Sequence, residues 1–195
     1  MVQEKQVFDT YQRKSITYKT MLWVGMISMF MMFAGLTSAY IVSKSRPDWL
    51  VDFELPFAFA LSTIVMVLSS FTYHFALAAI RKDDRSRTSM FLWITFVLGV
   101  TFVFLQFKGF GQVIDNGFYF TGPESNVTTS FLYIVVIMHI AHLSAGLISL
   151  LIVIYNHYKQ KYNSSQPLGI ELSVTFWHFL DFLWLYLFLF LYFFK

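Results

Sequence analysis

Asp181 is the one carboxylate inside an otherwise oily stretch, FWHFLDFLWLYLFLFLY, residues 176–192, and His178 precedes it by three residues. An imidazole and a carboxylate at i, i+3 project from one face of a helix. That spacing serves a hydrogen-bonded pair, a proton relay, or part of a metal or haem site. Glu171, seven residues before His178, falls on the same face at the start of the run. His139 and His142 in HIAHLSAG repeat the i, i+3 spacing, His74 sits in a third apolar run, and His157 follows the one that holds HIAHLSAG. The chain has no cysteine, which excludes disulfides and thiolate metal sites.

The elements that must position these groups are membrane helices. Of 195 residues, 57% are hydrophobic and 13% charged, with 24 Phe. A soluble domain of this size has no interior large enough for that much apolar surface. A spanning helix needs about 20 mostly apolar residues. Five stretches qualify, at about 21–43, 55–80, 88–107, 129–155 and 172–194, and Asp181 is the only Asp, Glu, Lys or Arg within them. Alternating strands are absent, so helices are the one way to satisfy the backbone in lipid. The expected fold is an all-α polytopic bundle of five transmembrane helices over 21–195, preceded by a polar tail at 1–20. That tail lacks the apolar core of a cleavable signal peptide.

Charge sets the direction. The tail, the loop RKDDRSR and the loop after the fourth span hold ten Lys or Arg, against four on the other side (Lys44, Arg46, Lys108 and Lys195). The positive-inside rule then puts the N-terminus in the cytoplasm and the C-terminus in the periplasm. The net charge of +3 is scattered between apolar runs and argues against nucleic acid. The longest connection, about 108–128, is rich in Gly, Asn and aromatics and is expected along the outer surface.

With a rise of ~1.5 Å per residue, His142 lies ~20 Å below the outer edge and Asp181 ~14 Å above the inner edge. Both are then near the middle of a ~30 Å core. An ionised Asp there costs about 2.5–3.5 kcal/mol, so Asp181 has to be neutralised, paired or wetted. A hydrogen bond to His178, or to His142 on a neighbouring helix, would do this structurally. A proton-related or partner-facing role is the second reading, and a metal or haem ligand the third. His74 and His178, at similar depth on two helices, meet the haem requirement crudely. Trp177, Phe179 and Phe182 crowd His178 where a haem wants small residues. Small residues one turn apart favour close helix packing. They recur as Ala141 and Ala145, as Ala34 and Ser38, and as Gly35 and Ala39.

Several of these motifs together carry a resemblance. WHFLDFLWL at 177–185, preceded by Gly169 and Glu171, resembles the last-helix signature of haem–copper oxidase subunit III. His139, His142 and Gly146 resemble that family's H-x-x-H-x-x-x-G helix. Leu98, Gly99, Phe102 and Gln106 resemble its L-G-x-x-F-x-x-x-Q helix, and Met26 to Tyr40 its first common helix. The likeness spans about residues 20–195, and five helices correspond to the short bacterial form. It implies an accessory subunit of a proton-pumping cytochrome c oxidase in the bacterial inner membrane, with no catalytic or metal centre of its own. Haem and copper would reside in partner subunits. The implied partners are subunit I as main contact, other oxidase subunits, bound phospholipid and a larger respiratory assembly. Buried polar roles are implied for Glu171, His178, Asp181, His139, His142 and Gln106, and packing roles for Gly35, Ala39, Gly99 and Gly146. Subunit III of a quinol oxidase is the alternative, with a haem-binding membrane anchor or a small transporter as more distant ones. Met29 stands where the family has a buried glutamate, so no role of that carboxylate carries over. Gly109 and Phe110 stand where the family often has Glu-Tyr, and the outer loop is longer, both as in a divergent branch.

Overall fold

The computed structural model describes residues 2–47, 49, 55–122, 125–162 and 167–194, with side chains from residue 12 onward. Met1 and Lys195, the ends of the expected tail and membrane domain, lie outside the described residues, as do Pro123 and Glu124 of the 108–128 connection. Five helices run in order: α1 (Val2–Ser43), α2 (Phe57–Arg81), α3 (Arg85–Asp115), α4 (Val127–Tyr158) and α5 (Leu168–Phe193). All five are long and apolar enough to cross a membrane. No strand occurs among the described residues, and the all-α, five-span reading holds.

The helices run past the apolar stretches that the sequence marks out. Helix α1 has 42 residues, about 63 Å at ~1.5 Å per residue, roughly twice the ~30 Å hydrocarbon layer. The segment read as a polar tail is therefore the first part of one continuous helix. Helix α3 continues to Asp115 because its extension still has a face to bury. Gly109, Phe110 and Val113 follow Gln106 on the packed side. A Cβ on Gly109 would lie 3.0 Å from the Phe59 ring, so glycine lets α2 approach there. The N-termini are capped locally: Asp84 accepts from Arg87 N at 3.1 Å to start α3, and Asn126 accepts from Thr129 N at 3.0 Å to start α4. Both satisfy donors that the first helical turn leaves unpaired.

Backbone packing runs α2 on α3, α3 on α4, α4 on α5 and α5 back on α2, with α1 attached to α4 and α5. Helix α5 thus touches three neighbours and carries Trp177, Leu180, Leu183, Trp184 and Leu187 into the core, all at most 1% exposed. Helix α1 buries Met26, Phe33 and Tyr40, two turns apart each time, with Thr37 between the last two. Its Met21, Trp23, Val24, Ile27 and Met31 face outward, which suits a lipid or protein neighbour and not water.

Candidate functional site: the α2–α5 seam and its polar groove

Helices α2 and α5 are antiparallel, and their polar groups meet in register. Trp184 Nε1 donates to Thr63 Oγ1 at 3.0 Å, Trp177 Nε1 donates to Ser69 Oγ at 3.0 Å, and Tyr73 donates to Ser173 Oγ at 2.7 Å. The α2 hydroxyls can accept because their own protons go to the preceding turn: Thr63 donates to Phe59 O at 2.8 Å and Ser69 to Met66 O at 2.7 Å. This back-bonding leaves a lone pair aimed across the seam. At the α3 side, Gln106 Nε2 donates to Ser62 Oγ at 2.7 Å.

Beside the seam runs a groove of about 430 Å³, lined by Val67, Ser70, Phe71 and His74 of α2 and by His178, Asp181, Phe182 and Leu185 of α5. His178 Nδ1 shares a hydrogen bond with Ser70 Oγ at 2.5 Å. The His74 and His178 rings lie 6.1 Å apart, tilted by 40°. Asp181 is 8% exposed, and neither carboxylate oxygen has a hydrogen-bond partner among the described residues. The structure therefore puts Asp181 and His178 in one groove without pairing them, because Ser70 takes the imidazole. His142 does not serve Asp181 either: its Nδ1 bonds Met138 O of its own helix at 2.7 Å.

Glu171 lies apart, at the N-terminal end of α5, within side-chain reach of both α1 and α2. It accepts from Arg81 Nη2 at 2.9 Å and pairs with Lys19 Nζ at 3.4 Å, tying three helices together. His139 is fully buried. Its ring packs 4.9 Å from Trp184 and 6.0 Å from Phe102, and neither nitrogen has a partner among the described residues. Gly99 and Gly146 flank the Trp177 indole from α3 and α4: a Cβ on the first would lie 2.8 Å from Cη2, and on the second 3.4 Å from Cε3. Gly35 and Ala39 are exposed, and a Cβ on Gly35 would meet nothing within 4 Å. The close approach expected there is to nothing in this chain, because α1 packs through its Met26, Phe33 and Tyr40 face. No group of three or more His, Asp or Glu among the described residues is arranged to hold a metal ion.

The reading of the sequence missed the α2 hydroxyls. Their signal was present: Thr63 and Ser69 on α2 lie six residues apart, close to the seven that separate their partners Trp184 and Trp177 on α5. Polar residues about two turns apart on one helix and indoles two turns apart on another match when the helices lie side by side.

The sequence is similar to those of known proteins over nearly the whole chain. The family model described as cytochrome c oxidase subunit III matches residues 7–195. The cytochrome c oxidase subunit 3 of Thermostichus vulcanus is 31% identical over 88% of this chain and 84% of its own length. The cytochrome bo(3) ubiquinol oxidase subunit 3 of Buchnera aphidicola subsp. Acyrthosiphon pisum is 32% identical over 94% of this chain and 90% of its own length. The protein of that same name from Pseudomonas aeruginosa is 28% identical, covering 85% and 79%. A five-helix bundle seamed by α5 and matched from residue 7 to the end is a multi-pass membrane protein, and it belongs to the cytochrome c oxidase subunit III family.

Proposed function

We propose that this chain is the accessory, non-redox subunit III of a bacterial haem–copper terminal oxidase in the inner membrane. Its N-terminus is cytoplasmic and its C-terminus periplasmic. It works by packing against subunit I and by holding phospholipid, and so supports the oxygen reduction and proton pumping carried out there. Haem and copper sit in the partner subunits. The observation that carries this reading is the family match over residues 7–195. The geometry agrees with it: the buried polar groups of α2 and α5 serve mainly to hold helices in register. Within the reading, Glu171 clamps the inner ends of α1, α2 and α5, and His139, His142 and Gln106 fill and fix the core.

Purification of the oxidase from membranes that hold this chain tests the proposal. Mass spectrometry is expected to find the chain beside a haem–copper subunit I. If it never co-purifies with one, the proposal fails.

The electron donor has two readings, because relatives named for cytochrome c oxidase and for ubiquinol oxidase match to similar degrees. A copper-binding subunit II in the same preparation identifies the cytochrome c form. A subunit II without copper identifies the quinol form.

A further inference from the structure

The seam between α2 and α5 satisfies its indoles and the Tyr73 hydroxyl from within the chain, and leaves Asp181 without such a partner. The indoles of Trp177 and Trp184 and the hydroxyl of Tyr73 all find partners there. Both Asp181 oxygens are buried and make no hydrogen bond among the described residues; Ser70, the hydroxyl beside the carboxylate, makes its short hydrogen bond with His178. A buried acceptor left without a donor is costly, and more so when charged. Asp181 stands near the middle of α5, between Leu168 and Phe193, roughly 20 Å from either end at ~1.5 Å per residue. That is beyond the reach of lipid headgroups and bulk water in a ~30 Å hydrocarbon layer. A donor for Asp181 has to come from something that resides at that depth.

The shape of the site says what kind of thing. The groove is a lateral furrow between two antiparallel helices, with Val67 and Phe71 on one wall and Phe182 and Leu185 on the other. Phe71 and Phe182 are 58% and 64% exposed. The polar groups that line it are Ser70, His74, His178 and the one carboxylate, Asp181, with no Lys or Arg. We infer that this groove seats a transmembrane helix of a neighbouring oxidase subunit, and that this helix brings an N–H or O–H side chain to Asp181. The unpaired Asp181 carboxylate is the group in the groove that calls for a donor from the neighbour. The inference rests on the reading of this chain as an oxidase subunit. It adds the face that is covered and the chemistry the neighbour must carry.

Photo-reactive p-benzoylphenylalanine, placed at Phe71 and separately at Phe182 in the intact complex, tests it. Irradiation is expected to join both positions to one helix of another oxidase subunit. That helix should carry a side-chain N–H or O–H within two turns of the joined residue. Adducts to lipid alone, to a second copy of this chain, or to a helix lacking such a side chain overturn the inference, while co-purification with subunit I still stands. Loss of co-purification of the unmodified chain overturns the underlying reading instead.

Asp181→Val supplies a second readout. In the isolated full chain it removes an unpaired acceptor, so the thermal midpoint is expected to stay level or rise. In the complex it removes the docking hydrogen bond, so retention of the chain against detergent washing is expected to fall about five- to tenfold, the effect of about one hydrogen bond. A lower midpoint in the isolated chain, or unchanged retention in the complex, overturns the inference, because Asp181 then serves the chain's own fold or nothing at all.

Discussion

Gly99→Ala probes the tightest point of the bundle. The Trp177 indole is fully buried where α2, α3, α4 and α5 meet. A methyl group at position 99 would lie 2.8 Å from Cη2 and 3.1 Å from Cζ2 of that ring, and 3.0 Å from Leu147 Cδ2. Carbon atoms rest at about 3.5–4.0 Å, so the ring would have to retreat by most of an ångström. Its Nε1 is held by Ser69 at 3.0 Å, so a retreat of the ring strains that hydrogen bond. Overpacking of this kind costs about 1–3 kcal/mol, and the better helix propensity of Ala returns up to ~1 kcal/mol. The net expectation is a loss of about 1–2 kcal/mol.

Gly146→Ala is the internal control. Its new methyl would meet Leu180 Cδ1 at 2.8 Å, the far end of a flexible side chain that can rotate away. A change of less than about 0.5 kcal/mol is expected there, because the strain is relieved by one rotamer. Reversible unfolding in mixed detergent micelles, followed by circular dichroism, measures both. Trp177→Phe closes the cycle: with the six-membered ring of the indole gone, Gly99→Ala should become nearly free, a coupling of about 1 kcal/mol or more. If Gly99→Ala is tolerated as well as Gly146→Ala, or adds independently to Trp177→Phe, the indole is not clamped as described.

Ser69→Ala orphans the buried N–H of Trp177 and is expected to cost about 1 kcal/mol in the same unfolding assay. Ser144→Ala, which removes an exposed hydroxyl bonded to its own helix, should cost almost nothing. Glu171→Gln loses the pairs with Lys19 and Arg81, whose side chains are about half exposed. The expected loss is under about 1 kcal/mol, and high salt should shrink it further. A reporter fused before Val2 should be active in the cytoplasm and one fused after Phe194 in the periplasm, and the reverse pattern would contradict the charge count.

How much of this was legible in the sequence depends on what the bilayer does to hydrophobic patterning. Length and apolarity mark five spans because a helix must satisfy its own backbone in lipid. They cannot say which face turns inward, because lipid-facing and core-facing residues are both apolar. Helix α1 shows the consequence. Gly35 and Ala39 look like a packing seam, yet the buried side is that of Met26, Phe33 and Tyr40. Gly99 and Gly146 carry the same residue type and do lie at close contacts, because large rings and branched chains of α4 and α5 press on them. Extents were hidden for a related reason. The first part of α1 and the end of α3 are helical outside the apolar windows, where hydropathy is silent and capping or packing decides.

The groove depends on an offset of one residue. At about 100° per residue, Ser69 and Ser70 point to different sides of α2. Ser69 receives the indole of Trp177 inside the seam, and Ser70 meets His178 in the groove. On α5 the same step separates Trp177 from His178. Asp181, four residues after Trp177, is turned only about 40° from it, so it sits at the rim, buried by the seam yet reached by none of the seam's hydroxyls. A helix could have placed an apolar residue there at no cost to its own packing. Asp181 instead faces a lateral surface where His74, His178 and two exposed phenylalanines gather. Within this chain the carboxylate is a liability of about 1–3 kcal/mol. It becomes a source of register and selectivity once a neighbour brings the missing donor.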